Sequence, residues 1–325
     1  MGQGRVTDAP SPAELPTHHR LARLVPGPRL AALLGAMCIA FSGIFYREAL
    51  VSPSTAAVFR CFYGLPVLVA VAVWERRRFG PLPPAAWRLA VVAGVFFAGD
   101  LLFWHHAIEQ VGAGLATVLG NMQILVVAVV AWLVLGESPT VRSVAAIPVV
   151  LVGAVMISGV VGQGAYGANP LLGVVFGTVT AFCYAGYLLV IRHGGRDVRR
   201  PGGPVAIATA STMVIAALVG AIGGDLSLAP SWPAHGWLVA YGVTSQSLGY
   251  LLISLSLPRL PATLTSTILL SQPVATVGLA MVLLGESPSV IQLLGVALIV
   301  GGIALATVNV RPMMRRTATR PSPSP

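Results

Sequence analysis

AWLVLGESPTV, from Ala131 to Val141, and AMVLLGESPSV, from Ala280 to Val290, carry the same turn twice. Each copy is an apolar stretch that ends on Leu-Gly-Glu-Ser-Pro. The copies are 149 residues apart, and at that offset Gln123 falls on Gln272, Ala113 on Ala262 and Gly153 on Gly302. Internal similarity over that length divides the chain into two halves, residues 30–162 and 170–309.

Composition states what surrounds those halves. The 325 residues are 56% hydrophobic and 9% charged, with a mean hydropathy of +0.84, whereas soluble domains carry about a quarter charged residues. A cytosolic enzyme, a secreted disulfide scaffold and a disordered chain are excluded together. Crossing about 30 Å of hydrocarbon takes about 20 apolar residues. The runs of that kind fall at 30–46, 54–74, 87–108, 112–134, 141–162, 170–191, 204–222, 236–257, 261–284 and 289–309. The expected fold is an all-α integral membrane protein of ten transmembrane helices.

The arginines test this count. All 20 basic residues are Arg. With the N-terminus in the cytoplasm, the cytoplasmic segments hold Arg5, Arg20, Arg23 and Arg29; Arg76, Arg77, Arg78 and Arg88; Arg142; Arg192, Arg196, Arg199 and Arg200; Arg259; and Arg311, Arg315, Arg316 and Arg320. The other side holds Arg47, and Arg60 lies within a span. A miscounted helix would move every later loop to the wrong face and destroy this asymmetry. The reading is therefore ten helices with both termini cytoplasmic, in the cell (inner) membrane. The net charge of +10 becomes a topology signal, and nucleic acid is not a partner. Residues 1–29 and 310–325 read as disordered cytoplasmic tails, and the first lacks the apolar core of a signal peptide. Cys38, Cys61 and Cys183 lie in separate apolar runs, with no metal or redox spacing.

Five helices per half is an odd number, so the second half enters the membrane from the opposite side. Its LGESP turn faces outward and the first faces the cytoplasm. Inverted repeats of this kind suit a site exposed alternately to the two sides. With its Leu135-Gly136-Glu137 and Leu284-Gly285-Glu286 turns, the Gly-rich helices that follow them and the intramembrane Arg60, the chain resembles the drug/metabolite transporter superfamily, and within it the ten-helix EamA-type family. The resemblance covers residues 30–309 and implies two EamA repeats, 30–162 and 170–309, in a carrier that exports amino acids, metabolites or drugs. The proline that often precedes the turn in that family is present at Pro273, while the first half has Met122-Gln123-Ile124.

Asp100, in AGDLLFW, is the leading candidate for the transport chemistry, because a carboxylate inside a span needs a partner, water or a proton. At 1.5 Å per residue it lies about 12 Å from the outer end of its helix, and Arg60 about 9 Å from the outer end of the preceding one. The two are expected to form either a structural ion pair or a site at which Asp100 binds protons or a cationic group. His105 and His106 lie near the outer interface, and their spacing from Asp100 makes no metal site. Gln123 and Gln272, with Asn121 beside the first, either glue helices or line a midplane cavity. Trp104, Tyr187, Gln246 and Tyr250, together with Tyr184, Tyr241, Phe45 and Tyr46, supply aromatic surface with a few hydrogen-bonding groups for an amphipathic solute. Glu137 and Glu286 are assigned to turn structure, with Ser138-Pro139 and Ser287-Pro288 as N-cap and first residue of the following helix. Gly153, Gly301 and Gly302 permit close helix approach within the chain, or a homodimer contact.

The expected function is a secondary transporter, an exporter of a small metabolite, amino acid or drug-like solute, working by alternating access with proton coupling through Asp100. Its partners are a small-molecule substrate and the lipid bilayer. A facilitative uptake carrier or channel-like permease is the alternative. No cofactor is expected. An enzyme is not expected either, since there is no GxxxxGK[ST], GxSxG or HExxH sequence.

Overall fold

The computed structural model describes residues 27–136, 140–194, 200–256, 260 and 268–307, and these contain helices and no strand. In the first half α1 (Pro28–Ala40) and α2 (Ser42–Ala49) form one rod broken at Phe41, followed by α3 (Pro53–Phe79) and α4 (Pro84–Val111). The expected span at 112–134 is two pieces, α5 (Ala113–Gly120) and α6 (Gln123–Leu135), with a turn at Asn121 and Met122. α7 (Val141–Ile157) completes the half. The second half runs α8 (Pro170–Gly194), α9 (Gly202–Gly223) and α10 (Trp232–Ala240), then a π-helical segment, Tyr241–Gly249, that continues into α11 (Tyr250–Ser256). α12 (Ser271–Leu283) and α13 (Val290–Thr307) follow. Seven helical stretches are long and apolar enough to cross a membrane, and Val141–Ile157 and Ser271–Leu283 are shorter apolar helices. Large apolar side chains such as Phe62, Trp74, Leu133, Leu218 and Val282 stay exposed on the outside of the bundle, as a surface facing hydrocarbon requires. Of the expected tails, residues 1–26 and 310–325 fall outside the described ones, while Pro28 and Arg29 already belong to α1.

Local sequence sets the helix ends. Proline opens α1, α3 and α4, where its missing N–H costs nothing. The Ser52 side chain caps α3 by accepting from the Thr55 N–H at 3.3 Å. The two turns of the repeat share one backbone solution: Gly136 has φ +69° and Gly285 φ +66°, a left-handed conformation that glycine adopts without steric penalty. The helices after these turns start later than the sequence suggests. Thr140 caps α7 by accepting from the Ser143 N–H at 3.2 Å, and Ser289 caps α13 by accepting from the Gln292 N–H at 3.2 Å. Thr140 and Ser289 are related by the same offset of 149. The expected cap at Ser287-Pro288 is thus displaced by two residues, because only the hydroxyl at 289 reaches back to an unpaired first-turn N–H. Ser138 and Pro139 lie outside the described residues.

The halves interdigitate. α4 packs along α8, α3 lies against α9 and against the π-helical segment, and α7 lies against α13. At the α7–α13 contact a Cβ on Gly153 would come within 2.7 Å of the Gly295 carbonyl oxygen, and one on Gly302 within 2.6 Å of Val150, whereas one on Gly301 meets nothing within 4 Å. Gly153 and Gly302 therefore serve contact within the chain.

Two buried carboxylates tie one half to the other through helix N-termini. Glu286, in the turn before α13, accepts the N–H of Ala113 at 2.6 Å and of Gly114 at 3.1 Å, at the start of α5. Glu75, near the end of α3, accepts the N–H of Gly202 and Gly203, both at 2.8 Å, at the start of α9. Unpaired first-turn N–H groups and the helix dipole favour an anion at such a place. Glu286 does serve a helix N-terminus, but that of α5 in the other half and not that of the helix it precedes. Burial pushes its carboxyl above the ordinary range, and the two N–H bonds pull against that shift. Glu137 falls outside the described residues.

Candidate functional site

Where α3 crosses the π-helical segment the two backbones nearly touch. A Cβ on Gly242 would lie 2.7 Å from the Arg60 carbonyl oxygen, and one on Gly64 would lie 2.7 Å from the Gln246 side chain. Glycine at both positions lets the elements close to this distance. The wider winding of a π-helix moves side chains off the usual helical faces, and within this segment both Tyr241 and Gln246 turn toward α3.

The contact encloses a charge. Arg60 is buried, at 4% exposure, and donates Nε–H to Oε1 of Gln246 and Nη1–H to the Tyr241 hydroxyl, both at 2.8 Å. Its guanidinium also lies 4.7 Å from the centroid of the Tyr241 ring and 5.8 Å from that of Phe97, close enough for cation–π attraction. Gln246 in turn donates its Nε2–H to Thr209 of α9 at 2.9 Å. The Tyr241 hydroxyl is 3.0 Å from His105 Nε2. Arginine can only donate, so the arrangement that uses every group has Tyr241 accept from Arg60 and donate its own proton to His105. His105 is fully buried, with the Pro53 backbone beside it. Of the two histidines expected near the outer interface, His105 faces the inside of the bundle, where the Tyr241 bond and the Tyr46 ring at 4.2 Å hold it. His106 is on the half-exposed face and pairs with Glu109 at 3.2 Å.

Aromatic rings wall the cluster. Phe97 stacks on Tyr187 at 4.8 Å, Tyr187 on Tyr184 at 5.5 Å, and Tyr250 stands edge-on to Phe97 at 6.0 Å. The Tyr250 hydroxyl donates to that of Tyr184 at 3.5 Å. Asp100 lies on α4 one turn beyond Phe97, is 8% exposed, and makes no hydrogen bond or ion pair among the described residues. Of the two expected alternatives, the Arg60–Asp100 ion pair is not formed among the described residues. The Arg60 charge still acts on the Asp100 carboxylate through space, but Gln246 and Tyr241 occupy the guanidinium edges that a bidentate carboxylate would need.

Of the residues singled out from sequence, Arg60, Gln246, Asp100, Tyr187 and Tyr250 thus meet in one region. Trp104 is buried beside His105, at 5.4 Å between rings. Gln123, Gln272 and Asn121 are not hydrogen-bonded to the cluster. Asn121 donates to the Thr117 carbonyl one turn back, at 2.8 Å, and Gln123 Oε1 is buried without a partner. Two residues of the arrangement had no signal in the sequence, and neither did the carboxylate that caps α9. Phe97 and Thr209 read as ordinary helix residues, and Glu75 is masked by the three arginines that follow it.

The EamA-like transporter family matches residues 29–159 and 171–308. The chain belongs to this family. Both segments of the match coincide with the two halves marked by the LGESP turns, so the protein is a multi-pass membrane transporter of the drug/metabolite type, with a small-molecule substrate. The EamA family is a family of transporters and not of enzymes. A solved crystal structure of a protein superposes with a TM-score of 0.60 at 21% identity, over 86% of this chain and 98% of its own, which supports the fold alone. No curated protein matches the chain.

Proposed function

We propose that this EamA protein is a secondary transporter that exports a small metabolite, amino acid or drug-like solute across the cell membrane by alternating access, with Asp100 as its coupling carboxylate. The observation that carries this reading is the position of the Arg60 cluster. It joins α3 of one half to the π-helical segment and α9 of the other, so any movement of the halves against each other must work upon it. Structural ion pairs are held by direct contact, and Asp100 lacks such contact, which favours its use as a group that gains and loses a proton over use as a fixed brace. Ten helices in two inverted repeats, with both termini in the cytoplasm, supply the symmetry that alternating access needs. The packing of α3 on α9 and of α7 on α13, each pair matched by the sequence offset, supports that arrangement.

The test is solute counterflow in proteoliposomes under an imposed pH gradient, with Asp100→Asn as comparison. Saturable counterflow that responds to the gradient in the wild type and not in the variant is the expected result. Flux that is linear in solute concentration and shows no counterflow would favour the channel-like permease. Counterflow indifferent to pH in both proteins would leave a facilitative carrier.

A further inference from the structure

Arg60 and Asp100 differ in what they can do with their charge. A guanidinium stays protonated at any physiological pH, whereas a carboxylate can shed its charge by taking up a proton. Arg60 is held by two neutral groups, Gln246 and Tyr241, and its Nη2 makes no hydrogen bond among the described residues. Among the described residues no carboxylate lies within ion-pair distance of it. The titratable groups that face Asp100 are Arg60 on α3, Cys183, Tyr184 and Tyr187 on α8, and Tyr241 and Tyr250 on the π-helical segment and α11. α9 packs on α4 as well and contributes Thr209 and Thr212, which do not titrate. Arg60 is thus the one fixed charge among these groups, and it is positive.

A buried charge is tolerated when something nearby balances it. With no solute bound, Asp100 is the acid that can balance Arg60, through space and only while it is ionised. A cationic solute would leave the region with a net positive charge, and a neutral one would leave the Nη2 of Arg60 without a counter-charge. An organic anion fits both demands if Asp100 is protonated: one oxygen of its carboxylate takes the Nη2–H groups that Gln246 and Tyr241 leave open, and its body lies against the Phe97, Tyr187, Tyr184 and Tyr250 rings.

The geometry points to Arg60 as the anion-binding residue of this transporter, whose solute is an organic monocarboxylate with an aromatic or apolar body, bound together with a proton on Asp100. The two carboxylates compete for one positive charge, and that competition is the coupling. This inference rests on the carrier reading above and specifies its substrate class and the sense of its coupling: solute and proton bind together and leave together.

The experiment uses the full chain in detergent and four probes of one shape: 3-phenylpropionate, 3-phenylpropylamine, 3-phenylpropanol and phenylalanine. Calorimetric titration in buffers of different ionisation heat reads binding and proton uptake together. The expected result is binding of 3-phenylpropionate with uptake of about one proton per solute where Asp100 starts ionised, and an apparent affinity that falls up to tenfold for each pH unit in that range. Asp100→Asn should bind the acid without proton uptake and without pH dependence. Arg60→Gln should lose the acid by at least tenfold. Arg60→Lys, which keeps the charge without the planar fork, should retain part of it. Because Arg60 variants risk misfolding, proton uptake in the wild type and its loss in Asp100→Asn carry the decision. Preference for the amine, binding of phenylalanine or the acid with no proton uptake, failure of the acid to bind at any pH, or pH dependence kept in Asp100→Asn would each overturn the inference. The two readings fail separately. Proton-linked binding of the acid without its counterflow in proteoliposomes removes the carrier and leaves the anion site, and counterflow without proton movement does the reverse.

Discussion

The Nε–H of Arg60 and the Oε1 of Gln246 meet at 2.8 Å, 186 residues apart in the chain. One group comes from α3 in the first half and the other from the π-helical segment in the second, and Gln246 passes the contact on to Thr209. The amide therefore orients a buried cation by one of its ends and is itself fixed by the other.

Gln246→Leu should lower stability more than an ordinary core exchange. It leaves the Arg60 Nε–H and the Thr209 hydroxyl without a partner in the interior, and an unsatisfied buried group costs about 1–3 kcal/mol, more when charged. The melting temperature in detergent should fall clearly, and Thr209→Val, which removes a neutral partner, should cost less. Equal losses in the two variants would contradict this ranking.

Tyr241→Phe keeps the ring against Arg60 and removes the hydroxyl that bridges Arg60 and His105. Loss of two buried hydrogen bonds at about 1 kcal/mol each should show in thermal melting. The His105 ring should also lose its preference between its two neutral forms, which nitrogen chemical shifts would report. Unchanged shifts would mean that Tyr241 does not set the tautomer.

Glu286 gives a pH dependence whose sign is fixed. Its folded-state pKa is raised by burial above the ordinary 4.5, so folding favours the protonated form. Its contribution to stability is then fully present below 4.5 and is lost as the pH rises through the folded-state value. The melting temperature of the wild type should decline over that window relative to Glu286→Gln. The same slope in both proteins would assign the dependence to other groups.

Gly153→Ala and Gly301→Ala form a matched pair on α7 and α13. The first places a methyl group 2.7 Å from the Gly295 carbonyl oxygen and the second meets nothing within 4 Å. Overpacking of that kind costs about 1–3 kcal/mol, so the first should melt earlier and the second should not. If Gly301→Ala instead changes the oligomeric state on size exclusion, the open stripe on α13 is a dimer contact.

Much of the membrane architecture was legible in the chain because it follows from one-dimensional rules. Hydrocarbon thickness fixes how long an apolar run must be, and the repeated LGESP turn gives the two halves. Asp100 and Arg60 stood out for the same reason, as charges where the solvent is lipid. Their relationship was not legible. Depth counted along two helices brought them level, yet rotation about each helix axis decides contact, and here Gln246 and Tyr241 from a distant π-helical segment take the guanidinium that an ion pair with Asp100 would have used. Nor could the sequence show that Glu286 serves α5, or that Glu75 within an arginine run serves α9, since an acid and the N–H groups it caps lie more than a hundred residues apart. The sequence determined that the chain is a membrane protein and where its apolar segments and its repeat lie, because burial in lipid acts on each segment separately. Only the tertiary structure decided which polar groups pair, because in a lipid interior a buried donor takes whichever acceptor packing places within about 3 Å of it.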